Sequence, residues 1–237
     1  MPNRVEAVTV VLDPNRTVSG LLQRPPEAAA LFVMAHGAGA GMTHPFMAAI
    51  AQGLAEQGIA TLRYQFPYME AGSKRTGSPA VAQQAVRAAA ATAHSLLPAV
   101  PLFAGGKSFG ARMTSVAQAE SPLPAVRGLI FLGFPLHPAN RPSDSRAAHL
   151  SGVHIPMLFL QGTRDSLAEP SLLAPLVRRL GDVATLSLVE HGDHSFHVPK
   201  RATRSDAQVL AGLCDTITAW IAATARPAAR PARTAPP

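Results

Sequence analysis

Residues 102–113, LFAGGKSFGARM, hold a serine whose neighbours admit two chemistries. Gly106-Lys107-Ser108 resembles the end of a phosphate-binding loop. Gly106-Lys107-Ser108-Phe109-Gly110 is also a G-x-S-x-G turn, which would present Ser108 as a nucleophile. A P-loop needs G-x-x-x-x-G-K-[ST], because the amides of a whole loop must wrap the phosphates. Its first glycine would fall on Pro101, and Leu102-Phe103-Ala104 read as strand interior, so the nucleotide reading fails in residue and in context. The nucleophile reading needs a strand, a turn tight enough to strain the serine backbone, and then a helix. Gly106 and Gly110 stand where small residues relieve crowding. The following helix would aim its first amides at developing negative charge.

A serine hydroxyl is a weak nucleophile and needs a base that is itself oriented by an acid. Downstream, LFLQGTRD puts Asp165 just past an apolar strand, and LVEHGDHSF puts His194 just past the next. Rival acids are Asp193, Asp144 and Glu169, and rival bases are His191 and His197. Asp193 adjoins His194 in sequence, and loop neighbours usually point apart. His191-x-x-His194-x-x-His197 could suggest metal ligands, but the spacing matches no zinc pattern and no carboxylate or cysteine set completes it, so no metal is expected. A second glycine-rich turn, HGAGAG at 36–41, also ends a strand. As a dinucleotide fingerprint its last glycine would fall on Met42 or His44, so that register fails. It is expected instead to give the backbone N–H of Ala38, with Gly39 as the alternative, to pair with that of Phe109 around an oxyanion; the alternative is a plain strand-to-helix turn.

The elements that must position these groups alternate along the chain. Apolar strand-like runs occur in VTVVL, TVSGLLQ, AALFVMAHG, GIATLRYQF, PLFAGG, VRGLIFLGF, PMLFLQG and ATLSLVEHG. Helical spacing is read over 43–57, 79–96, 109–119, 170–180 and 205–224; the last puts Val209, Leu213, Ile217, Trp220 and Ile221 on one face. Apolar strands separated by helices predict an α/β fold: a three-layer α/β/α sandwich on a mostly parallel sheet of about seven or eight strands. In such sheets ligands bind beyond the C-terminal strand ends, where Ser108, Asp165 and His194 would all lie. About 20 residues separate FLGF from PMLFL, too few for a large cap domain.

Residues 1–225 are expected to form one domain, and 226–237, rich in Pro, Ala and Arg, a disordered tail. The net charge of +7 comes from scattered arginines, densest in ARPAARPAR, so no nucleic-acid partner is expected. No apolar run reaches the ~18 residues a membrane span needs. The N-terminal MPNRVEAVTVVLD lacks the basic and apolar regions of a secretory signal, and the single cysteine, Cys214, cannot form an internal disulfide. Both point to the cytoplasm.

HGAGAGMTHPFM, LRYQFPYME, GGKSFGARM, FLGFPLHP, LFLQGTRD and HGDHSF follow one another over roughly 30–200. In these motifs the chain resembles the α/β-hydrolase superfamily. More closely, it is similar to the bacterial branch related to dienelactone hydrolase and to the hydrolase-like domain of an animal histone-acetyltransferase-complex subunit. One departure is Ala111, where a second glycine would be expected. The resemblance implies Ser108 as nucleophile, Asp165 as acid and His194 as base, with no cofactor. The family does not supply a substrate; the reaction expected from these residues is cleavage of a carboxylic ester or thioester of a small molecule through an acyl-enzyme on Ser108. A non-catalytic scaffold on the same fold and a peptidase are the alternatives. Substrate contacts are expected from Gly39, from Tyr64, Phe66 and Tyr68, and from Leu136 and His137, or else these loops pack on the sheet edge. Lys107 and Arg112 would either attract an anionic substrate or pack into neighbouring structure. The natural substrate and the oligomeric state are not read from the sequence.

Overall fold

Strand β3 (Ala30–Ala35) shows how this chain builds its layers. All six of its residues are buried, so it carries no polar–apolar alternation. Leu31, Val33 and Ala35 face one core, and Ala30, Phe32 and Met34 face the other. That is what a strand covered by helices on both sides requires. The computed structural model describes residues 4–225. The expected tail at 226–237 lies outside them.

The strands are β1 (Arg4–Asp13), β2 (Arg16–Arg24), β3, β4 (Ile59–Tyr64), β5 (Leu102–Lys107), β6 (Val126–Leu132), β7 (Met157–Gly162) and β8 (Ala184–Val189). They form one sheet in the order β1-β2-β4-β3-β5-β6-β7-β8. β1 pairs antiparallel with β2, and β2 antiparallel with β4. Every pairing from β4 to β8 is parallel. This is the mostly parallel α/β-hydrolase sheet that the sequence implied.

The helices are α1 (Pro45–Glu56), α2 (Pro67–Glu70), α3 (Pro79–Leu96), α4 (Phe109–Glu120), α5 (Pro170–Leu180) and α6 (Asp206–Ala225). α1 and α6 cover one face through Met47, Ile50, Leu54, Val209, Leu213 and Ile217. α3, α4 and α5 cover the other through Ala85, Ala89, Met113, Leu173 and Leu176. Proline opens α1, α2, α3 and α5. Its missing N–H costs nothing in a first turn, and its fixed φ suits the helix. The sequence reading missed the single turn α2 inside RYQFPYME and a 3-10 run at Ser145–Gly152. Both are too short to show helical periodicity.

Among the described residues α6 alone is long and apolar enough to cross a membrane, with mean hydropathy 1.2. Val209, Leu213, Ile217 and Ile221 are buried against the sheet and α1, so its apolar character is spent on the core. Trp220, at the margin of that face, meets Phe103 edge to face with centroids 5.8 Å apart. Cys214 is buried at the α1–α6 contact, its sulfur lying over Gly53. Burial there pushes its thiol up to about 12.

Candidate active site

β5 ends one residue before Ser108, and α4 begins one residue after it. Between them Ser108 takes φ 52° and ψ −112°, a conformation L-residues hold only when their surroundings impose it. Those surroundings are the end of β3. A Cβ on Gly106 would lie 2.0 Å from the Ala35 carbonyl oxygen, and one on Gly110 would lie 2.4 Å from it. No larger residue fits at either position while the turn stays where it is. Ala111, the departure from the expected glycine, is fully buried and packs in the core beneath α4.

Asp165 follows β7 and His194 follows β8, so both reach the rim where Ser108 stands. His194 Nε2 is 2.8 Å from Ser108 Oγ, and His194 Nδ1 is 2.7 Å from Asp165 Oδ2. An ionised carboxylate only accepts hydrogen bonds, so Nδ1–H donates to Asp165 and Nε2 is left to accept the serine proton. Asp165 is 2% exposed. It also accepts from Gln161 Nε2 and, at 2.8 Å, from the Leu167 backbone N–H. Gln161 is itself held, its Oε1 accepting from the Phe134 backbone N–H at 2.9 Å. Sequence reasoning missed Gln161; the available signal was a lone amide at the end of an otherwise apolar strand, LFLQG.

The rival residues are occupied elsewhere. Asp193 Oδ1 accepts from the Ser195 and His197 backbone N–H groups. His197 pairs with Asp206 at 2.7 Å, which raises its affinity for a proton. His191 lies by Glu190 at 3.4 Å. Asp144 pairs with Arg179 at 2.7 Å.

His36 anchors the glycine-rich turn. Its Nδ1 meets the Gly37 carbonyl oxygen at 2.8 Å, and its Nε2 accepts from the Phe66 backbone N–H at 3.0 Å. Burial lowers its pKa, which favours the neutral ring this pattern needs. Among the described residues, neither the Ala38 nor the Phe109 backbone N–H has a protein acceptor. The Gly39 N–H instead points to the Tyr68 hydroxyl at 3.4 Å.

A cleft of about 190 Å³ opens over Ser108 and His194, lined also by Gly37, Ala38, Ala40, His44, Phe46 and Met47. Four of the expected substrate contacts do not reach it. Tyr64, Phe66, Leu136 and His137 are each at most 1% exposed. Tyr64 lies in β4, whose residues are buried on both faces, and Phe66 packs edge to face on His36 and Phe109. Leu136 packs in the core, and the His137 ring is held by Glu169 Oε2 at 2.5 Å and the Pro138 carbonyl at 2.8 Å. Tyr68 is half-buried beside Phe109, and Gly39 is exposed at the turn. Phe46 and Met47, on the first turn of α1, line the cleft instead, and sequence reasoning did not single them out as substrate contacts. The Lys107 amine is not free either: it lies 2.5 Å from the His194 carbonyl oxygen.

Residues 28–222 match the family model of the alpha/beta hydrolase domain. The chain belongs to the alpha/beta hydrolase family. Among solved structures this alpha/beta hydrolase is similar to a dienelactone hydrolase from Anabaena variabilis, at 21% identity and TM-score 0.77, over 94% of this chain and 99% of that one. It is also similar to a lidless a/b serine hydrolase from Xanthomonas campestris, at 22% identity and TM-score 0.70, over 93% and 96% of the two chains. A third similar structure is an esterase domain from Rhodothermus marinus, at 17% identity and TM-score 0.70, over 94% and 100%. At these identities the likeness speaks for the fold, and the chemistry of this alpha/beta hydrolase rests on its own residues.

Proposed function

We propose that this alpha/beta hydrolase cleaves a carboxylic ester or thioester of a small molecule through an acyl-enzyme on Ser108. The observation that carries the reading is the unbroken run from Ser108 Oγ to His194 (2.8 Å) to Asp165 (2.7 Å), on a strained strand-to-helix turn. In the first step Ser108 Oγ attacks the substrate carbonyl carbon while His194 Nε2 takes its proton. Asp165 stays ionised, holds the tautomer and stabilises the imidazolium. The tetrahedral oxyanion is received by the Ala38 and Phe109 amides. Each such donor is typically worth ~2.7–4 kcal/mol in the barrier. The imidazolium then protonates the leaving alcohol or thiol as the C–O or C–S bond breaks. Water repeats the attack with His194 as base, releasing the acid and restoring Ser108. The steps use side chains, backbone amides and water, and call for no cofactor.

The mainly apolar cleft suits an uncharged acyl or alcohol group of modest size. A single thiol with no partner in the chain suits a reducing compartment, so we keep the cytoplasm as the place of action. The test pairs a fluorophosphonate probe with p-nitrophenyl acyl esters of graded length. The wild-type chain should label at Ser108 and turn over the shorter esters, and Ser108→Ala should do neither. Full esterase activity in Ser108→Ala would overturn the reading. A folded wild type that neither labels nor hydrolyses would point to a scaffold role.

A further inference from the structure

Lys107 stands at the end of β5, next to Ser108, yet its side chain does not serve the sheet. It runs across the end of the neighbouring strand β6 and meets the main chain of the loop after β8, 87 residues away in sequence. There its Nζ donates to the His194 carbonyl oxygen at 2.5 Å. The ring of Phe196 lies on the same amine, 5.5 Å to its centroid. The passage exists because residue 133 is glycine. A Cβ on Gly133 would stand 2.9 Å from Lys107 Nζ and 3.5 Å from His194 Cε1, so amine and imidazole are neighbours across that gap.

The loop that carries His194 needs holding. His191 and Phe196 both have positive φ, at 62° and 64°; for the bulky Phe196 this is a conformation its surroundings must impose. Asp193 ties the loop to itself through Ser195 and His197. Thr163 and Arg164 tie its start to the loop after β7. None of these contacts reaches the strand that carries Ser108. Among the described residues, the Lys107 amine is the hydrogen bond that joins the nucleophile's strand to the His194 main chain.

Resting on the hydrolase reading, we propose that Lys107 is a positioning residue. Its ammonium group fixes the His194 loop relative to the Ser108 turn, and so holds the imidazole at hydrogen-bonding distance from the hydroxyl. Misplacement by about 1 Å can cost on the order of 10²-fold in rate, which is the scale at stake. The charge adds a signature that packing alone lacks. The carboxylates facing the amine are Asp165 and Asp193, and the titratable ring beside it is His194; His44 lies farther out, on the exposed lip of the cleft. Burial pulls the amine down to about 8 against the attraction of those two carboxylates. Above that pH the neutral amine is a weaker donor than the ammonium ion.

The test compares the full-length wild type with Lys107→Met and Lys107→Gln, using kcat and KM for a short p-nitrophenyl ester across the pH range. Lys107→Met should lose roughly 10- to 100-fold in kcat, with KM changed by less than about threefold. The wild type should decline on the alkaline side with a midpoint near pH 8, and both variants should lack that decline. Lys107→Gln, whose amide can still donate to the carbonyl, should recover several-fold over Lys107→Met, and it carries the decision alone if the methionine variant does not fold. A kcat within twofold of wild type in a folded variant overturns the proposal. So does a loss of kcat with an unchanged pH profile and no recovery by glutamine, because a space-filling role would give that pattern. A wild type inert to both ester and fluorophosphonate sinks the hydrolase reading first, before any variant is made, and takes this proposal with it.

Discussion

Gly110 rests on the backbone of Ala35, so close that any Cβ at position 110 would stand 2.4 Å from the Ala35 carbonyl oxygen. The turn that presents Ser108 and the end of β3 are therefore one packed unit. Gly110→Ala should destabilise the fold by about 1–3 kcal/mol, the usual cost of overpacking. A lowered urea midpoint with an unchanged slope would show it. The same substitution should lower kcat, since relief of the clash moves the turn.

Asp165 is buried and accepts from three donors, one of them His194 Nδ1. In Asp165→Asn the side-chain amide can donate to Nδ1 and so favours the wrong tautomer. A loss of about 10⁴-fold in kcat is expected, with a native circular-dichroism spectrum. Gln161→Ala removes one of the bonds that orient the carboxylate, and should cost roughly tenfold while leaving Ser108 reactive to a fluorophosphonate.

Phe46 stacks on Phe196, with centroids 5.7 Å apart and planes 10° from parallel. Phe46 and Ser195 line both the cleft over Ser108 and an apolar trough beside it, whose other walls include Ala49, Val209, Leu210 and Leu213. Phe46→Ala should join the two. The ratio of kcat/KM for a C8 ester to that for a C4 ester should rise several-fold, since each methylene buried is worth about 0.8 kcal/mol. An unchanged ratio would show that acyl chains leave the cleft by another side.

Lys107 also makes a stability prediction with a definite sign. Its folded pKa, about 8, lies below the ordinary lysine value of 10.5. Between those limits the unfolded chain holds a proton that the folded chain has released, so stability gains a rising contribution with pH in that window. Below about pH 8 the buried charge costs stability in full. Melting temperatures of the wild type minus those of Lys107→Met should therefore rise between pH 8 and pH 10.

Some of this molecule could be read from residues alone, for local reasons. Pro45, Pro79 and Pro170 stand in first turns, where a missing N–H costs nothing, although Pro175 lies inside α5, and β1 and β2 are joined by a short turn at Pro14-Asn15. Ser108, Asp165 and His194 stand out because each follows an apolar strand in a sheet whose strand ends share one rim. Side-chain direction was a different matter. A strand buried on both faces carries no alternation, so nothing in IATLRY says where Tyr64 points, and Phe66, at the N-cap of α2, follows the end of that strand with no periodicity of its own. The His137–Glu169 contact, the support of Asp165 by Gln161 and the reach of Lys107 to His194 depend on tertiary placement, and no local spacing encodes them.

The burial of Cys214 between α1 and α6 gives the protein a built-in clock. Only the thiolate attacks a thiol reagent, and here the sulfur is covered and its ionisation pushed far above neutral pH. A disulfide dye added to the native protein should react only as the α1–α6 contact opens. Its rate of colour would therefore report how often that contact opens, with no engineered label and no other sulfhydryl to confuse the record.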